Sequence, residues 1–114
     1  MTVYGIKNCD TVKSAIVWLR KNEVDFEFHD YKTKGIDERK LKDWCKQVGW
    51  ESLLNKRGTT WRKLTQSEQA EVDNERSAIL LMLSKTSIIK RPLIEKNERV
   101  IALGFDEKSY SKLF

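Results

Sequence analysis

The chain is short of the residues that staple, coordinate or interrupt a fold. Its 114 residues include two cysteines, one histidine, one proline and five glycines. Cys9 and Cys45 are too few for a disulfide-built scaffold. Together with His29 they offer three soft ligands in no zinc-like spacing, so no metal site is expected. No apolar run approaches the roughly 20 residues that cross a bilayer, and the longest, Ala78 to Leu83, reads as a buried helix segment. The first residues show no basic stretch leading into an apolar one, so no signal peptide, no membrane association and a cytoplasmic location are expected.

What is present suits a small folded domain. Hydrophobic residues make up 39% of the chain, enough to fill a core, and the length is that of one domain over residues 1–114. Lys and Arg number 22 against 17 Asp and Glu, a net charge of +5. The basic residues are interleaved with acids, as in Asp37-Glu38-Arg39-Lys40, rather than gathered in a stripe. Direct contact with nucleic acid is therefore not expected. A small basic domain of this kind is expected to be a monomer.

Periodicity divides the chain into elements. Val3 to Ile6 is a β-prone run, followed by the loop Lys7-Asn8-Cys9-Asp10. Val12, Ala15, Ile16 and Leu19 recur at helical spacing, with Asp10 or Thr11 as the expected cap and Asn22 as the stop. Val24, Phe26 and Phe28 alternate with polar residues as in a half-buried strand, which completes a βαβ unit with parallel strands. After Gly35 the pattern turns helical: Asp37 caps a segment whose Leu41, Trp44, Cys45 and Val48 share a face, and Gly49 ends it. Leu53 and Leu54 suggest a further short turn, residues 55–64 carry no period, and Thr65 to Glu68 fits a capping box. Ser77 to Leu83 reads as an apolar helix. Pro92 lies within the β-prone run 88–94, which implies a strand start, an edge or a special peptide bond. A turn at residues 95–98 leads to the strand 100–103, and a helix over 106–113 closes the chain. The order is β-α-β, a helical insertion at about 36–85, then β-β-α. Without the insertion, that is the order of an α/β thioredoxin/glutaredoxin-like fold with a small mixed sheet.

Cys9 stands where such a fold carries chemistry, between a strand and a helix start. Helix N-terminal amides favour a negative charge, and Lys7 and Lys13 add positive charge nearby. Val12 occupies the position of a second CxxC cysteine, so an outside thiol such as glutathione would have to release any mixed disulfide on Cys9. Cys45, on an apolar helix face, reads as structural. Trp18, Trp44 and Trp61 are compatible with core or interface, and Trp50 and Trp61 are candidate exposed aromatics. His29 falls in the polar phase of its strand and reads as a surface or strand-end residue rather than a base.

Three ordered motifs, Tyr4-Gly5-Ile6-Lys7-Asn8-Cys9-Asp10-Thr11, residues 54–64 around Arg57, and Ile89-Lys90-Arg91-Pro92-Leu93, resemble those of the ArsC/Spx family, its YffB-type branch in particular. The resemblance implies a glutaredoxin-like fold with a helical insert and a nucleophilic Cys9. It implies that Arg57 and Arg91 bind an oxyanion or a glutathione carboxylate, with Thr11 and the helix amides cradling it, and that Pro92 is a cis-proline beside the thiol. The activity it implies is that of a glutathione-dependent thiol or disulfide reductase related to arsenate reductase. Glutathione would be co-substrate, glutaredoxin a possible helper, and no cofactor would be bound. Two alternatives follow from the same resemblance: a Spx-like regulator that docks on RNA polymerase, and a true arsenate reductase. The loop after Cys9 lacks both the Ser-Arg-Asn-Thr-like run of arsenate reductases and the CxxC switch of Spx regulators.

Overall fold

A computed structural model describes all residues from Met1 to Phe114. The chain forms two compact units, one from Met1–Lys34 with Arg91–Phe114 and one from Gly35–Lys90.

The first unit is built on a four-stranded mixed sheet in the order β2-β1-β3-β4. β1 (Thr2–Gly5) pairs in parallel with β2 (Glu27–Asp30) through the crossover helix α1 (Asp10–Lys21). β3 (Leu93–Lys96) runs antiparallel to β1 and to β4 (Arg99–Leu103), and α8 (Glu107–Leu113) ends the chain. The side-chain period of two sorts each strand between the faces of the sheet. Val3 and Ile94 pack with Ala15 and Leu19 of α1 and Tyr110 of α8 into a core, against which Trp18, Phe28, Phe105 and Phe114 are partly buried. Tyr4, His29 and Leu93 are register partners and share the opposite face. The β3–β4 turn places Asn97 and Glu98 at positive φ, 51° and 64°, the backbone that tight hairpins require.

Gly5 sets how closely α1 approaches the sheet. A Cβ there would lie 2.8 Å from Cγ2 of Val12, so only glycine lets the first turn of α1 settle on the end of β1. α1 begins one residue earlier than the Asp10 or Thr11 cap expected from sequence: its N-cap is Cys9. Asn22 ends it as expected, its amide donating to Trp18 and Arg20 carbonyls. A one-turn helix α2 (Tyr31–Lys34) follows β2 directly, started by Asp30, whose Oδ1 accepts from the Lys32 amide at 2.9 Å.

The second unit is helical: α3 (Glu38–Val48), α4 (Trp50–Leu53), α5 (Thr59–Arg62), α6 (Gln66–Ala70), α7 (Glu75–Ser84) and a 3₁₀ turn at Thr86–Ile88. Its caps follow the sequence closely. Asp37 accepts from the Lys40 amide, Gly49 closes α3 at φ 85°, and Thr65 with Glu68 forms a capping box. A second capping box, Asn74 with Ser77, starts α7 two residues before its apolar stretch. Leu41, Trp44 and Cys45 of α3 are buried, as are Ala78, Ile79 and Met82 of α7, which packs against α3. The unit extends to Lys90 because residues 86–90 pair within it: Leu54 bridges Ile89, and the Lys90 amide donates to Leu53 at 2.8 Å.

Candidate functional site

The register of the sheet decides what lies near Cys9. β1 leads into the cysteine loop, and β3 runs antiparallel to it with Leu93 opposite Tyr4. The residues just before β3, Arg91 and Pro92, are thereby carried past the C-terminal end of β1, where the loop to Cys9 begins. Arg91–Pro92 is a cis peptide, Pro92 is buried, and its carbonyl accepts from the Gly104 amide at 2.7 Å. The loop is closed by the Cys9 amide donating to the Ile6 carbonyl at 3.3 Å, and α1 starts with the Lys13 amide on the Cys9 carbonyl at 2.9 Å.

Cys9 is half-buried and free of any disulfide. Burial disfavours its ionised form, but this is outweighed, and the thiol lies below the ordinary range. The opposing contributions are hydrogen bonding from Arg91, the Val12 amide, the charge of Arg91 and the Thr11 amide, in that order. An N-cap normally offers oxygen to the amides of the first turn. Here sulfur faces the Thr11 and Val12 amides, close enough to favour thiolate without a strict capping bond. The charge that favours the thiolate is that of Arg91. Lys7 and Lys13, expected to add positive charge nearby, line a groove beside α1.

Cys45 behaves in the opposite way. It is buried on α3, and burial, with Glu75 nearby, pushes its thiol up to about 11. One chain thus holds one thiol poised to ionise and one held neutral.

Beside Arg91 lies a polar cluster that the sequence did not disclose. The Tyr4 hydroxyl donates to Oε1 of buried Glu95 at 3.2 Å. Tyr4 stacks on Tyr31 with ring centroids 6.2 Å apart and lies 4.8 Å from the His29 ring. The buried Tyr31 hydroxyl has no hydrogen-bond partner. Burial raises its pKa, Tyr4 and Glu95 add to the rise, and Arg91 opposes it, so all four groups share one electrostatic environment. The signal that could have found this cluster is Glu95 itself, which directly follows the apolar pair Leu93-Ile94 and, instead of opening the turn expected at 95–98, continues β3. His29, next to last in β2, takes part in this aromatic cluster.

Of the remaining candidates, Thr11 is exposed in the first turn of α1 and contributes its amide to the thiol. Cys9, Thr11, Arg91 and Pro92 belong to the sheet unit. Arg57 belongs to the helical unit, exposed in the loop between α4 and α5, with its amide donating to Oδ1 of Asn55 at 3.1 Å. Trp44 is core, whereas Trp50 and Trp61 are half-buried rather than exposed, Trp61 beneath the Lys56 ammonium at 5.4 Å. No group of His, Cys, Asp and Glu side chains forms a metal cluster, and no helix is long and apolar enough to cross a membrane.

A β-α-β/β-β-α sheet unit with a helical insertion and a cysteine capping its first helix defines a thioredoxin-like protein. More narrowly, residues 4–113 match the ArsC family model, and the chain belongs to that family as an arsenate reductase-like protein. Among solved structures it is 45% identical to a YffB protein, with a TM-score of 0.89 covering 97% of this chain and 96% of that one. It is also 45% identical to an arsenate reductase (ArsC) related protein from Brucella melitensis, with a TM-score of 0.80 covering 97% and 91%. Among curated proteins, an uncharacterized protein of Haemophilus influenzae is 40% identical, covering 100% of this chain and 98% of that one. A global transcriptional regulator Spx of Streptococcus pyogenes is 27% identical, covering 94% and 79%.

Proposed function

We propose that the chain is a cytoplasmic, monomeric glutathione-dependent thiol–disulfide reductase that works through Cys9 alone. The observation that carries this reading is a half-buried thiol at the N-cap of a twelve-residue helix, its ionised form favoured by Arg91. The Cys9 thiolate attacks the glutathione-derived sulfur of a mixed disulfide RSSG. The bond between Cys9 and that sulfur forms as the R–S bond breaks, and RS⁻ leaves to take up a proton. A second glutathione thiolate then attacks the glutathione sulfur on Cys9, releasing glutathione disulfide and regenerating the thiolate. The two electrons gained by RSSG come from glutathione, directly or by way of a glutaredoxin cysteine that takes up the glutathione sulfur and is itself reduced by glutathione. Arg91 stabilises Cys9 as nucleophile and leaving group. The amides at Thr11 hold a glutathione carboxylate and Pro92 offers its backbone to the bound tripeptide, while the family resemblance gives Arg57 an anion-binding role.

The test is incubation with glutathione disulfide followed by mass spectrometry, then turnover of a small mixed disulfide with glutathione. A single adduct on Cys9, lost in Cys9→Ser, with turnover reduced by about tenfold or more in Arg91→Ala and Arg57→Ala, is expected. No adduct on the wild-type chain would sink the reading. The likeness to a global transcriptional regulator keeps a second reading, a regulator of transcription, for which the family resemblance offers RNA polymerase as the docking partner. Capture of polymerase subunits by the Cys9→Ser chain, without turnover by the wild type, would support it. Arsenate as sole acceptor would mark the third alternative, a true arsenate reductase.

A further inference from the structure

Helix α1 carries two stripes. Val12, Ala15 and Leu19 are buried. A second stripe, Lys13, Ile16, Val17 and Arg20, lies at the i, i+3, i+4, i+7 spacing of neighbours on one helix face. It has an apolar middle and a cation at each end. Val17 is 65% exposed, the most exposed large hydrophobic side chain of the protein. With Lys7, Phe26, Phe28 and Asp30 this stripe lines a groove of about 580 Å³ between α1 and β2, within the size range of small-molecule sites.

Three cations and one carboxylate line the groove. Lys7, Lys13 and Arg20 point no ammonium or guanidinium group at an acidic partner or a hydrogen-bond acceptor. The one carboxylate in the lining, Asp30, is already engaged by the Lys32 amide. Lys13 and Arg20 are seven residues apart, about 10 Å along the helix at 1.5 Å per residue. Past Arg20 the surface changes sign, since the adjoining depression is lined by Glu23 and Asp25. An occupant must therefore be short, apolar in its body and negative at its head. A polycation or a long anionic chain fits neither the apolar middle nor the acidic far end.

We propose that this groove is a binding site for small organic anions with a flat or aliphatic apolar body, aromatic sulfonates and medium-chain carboxylates among them. The body lies on Ile16, Val17, Phe26 and Phe28, and the anionic head is met by Lys13 with Lys7 or Arg20. The site stands on its own lining and does not require the Cys9 thiol to react.

The experiment titrates 8-anilinonaphthalene-1-sulfonate into the full-length Cys9→Ser chain at pH 7 and follows its fluorescence, so that thiol chemistry plays no part in the result. Saturable binding is expected. K13E/R20E, which alters only exposed side chains, should weaken it by about tenfold or more, and Val17→Asp likewise. Decanoate should displace the probe, and the uncharged N-phenyl-1-naphthylamine should bind about tenfold less well. Amide chemical-shift changes should centre on residues 13–20 and 26–30, and circular dichroism of both variants should match the parent. Non-saturable binding, equal affinity in K13E/R20E and Val17→Asp, equal affinity for the uncharged probe, or shifts centred elsewhere would each overturn the proposal.

Discussion

Cys9 and Cys45 carry the same side chain and titrate in opposite directions. Arg91 and two helix amides favour an ionised Cys9, while burial keeps Cys45 neutral to about pH 11. The fold therefore stabilises the Cys9 thiolate. That stabilisation is present above the thiol's unfolded pKa and is lost as pH falls through the lower folded value. Alkylation of the native chain by iodoacetamide should follow one titration with a midpoint below that of a free thiol. Arg91→Ala should move the midpoint up, and one equivalent of reagent should be taken up until denaturant exposes Cys45. An unmoved midpoint in Arg91→Ala would contradict the assignment of Arg91. Tyr31 offers a second test. Its hydroxyl is buried without a hydrogen bond, so the native state already bears a desolvation penalty there. Tyr31→Phe should leave the thermal midpoint unchanged or raise it by an amount worth up to about 1 kcal/mol. A loss of 2 kcal/mol or more, on the scale of a broken buried hydrogen bond, would show that the hydroxyl is satisfied in solution.

At the scale of elements, α1 approaches β1 closely at Gly5. Gly5→Ala drives a Cβ to within 2.8 Å of Val12, and the first turn of α1, with its N-cap Cys9, must shift to relieve it. The expected cost is about 1–3 kcal/mol, with slower alkylation of Cys9 at pH 7, and Val12→Ala in the same chain should restore much of both. Calorimetry and alkylation rates on the two variants measure this. The same helix shows what a sequence discloses. Its period, its stop at Asn22 and the parallel strands it joins were legible because twelve residues span more than three turns. The cap was not legible, since aspartate and threonine are the common cappers, whereas Cys9 holds the N-cap position with no side-chain capping bond. α2 and α5 were missed because four residues hold barely one turn, too short for a period to register. The pairing of Cys9 with Arg91 came only from resemblance to a family, since no local pattern links positions 82 residues apart. The Tyr4–Glu95 bond, across 91 residues, was invisible for the same reason.

At the scale of the whole molecule, connectivity ties the two units together in folding. β1 and β3 are neighbours in the sheet, yet the entire Gly35–Lys90 segment lies between them in the chain. If that segment is unfolded, pairing the strands closes a loop of roughly 60 residues, at a cost of about 3–4 kcal/mol in chain entropy. That is a large share of the roughly 5–15 kcal/mol that holds a domain of this size together. Weakening the helical unit should therefore weaken the sheet, although the two hydrophobic cores are made of different residues. Met82 is fully buried on α7, and Met82→Ala should cost about 2–5 kcal/mol. Each unit carries its own reporter: alkylation of Cys45 for the helices, and amide exchange at Val3 and Ile94 for the sheet. In Met82→Ala the two should lose protection together, at one denaturant midpoint lower than that of the parent. Sheet amides that stayed protected while Cys45 became reactive would show that the sheet closes its loop without a folded insert, and would refute the coupling.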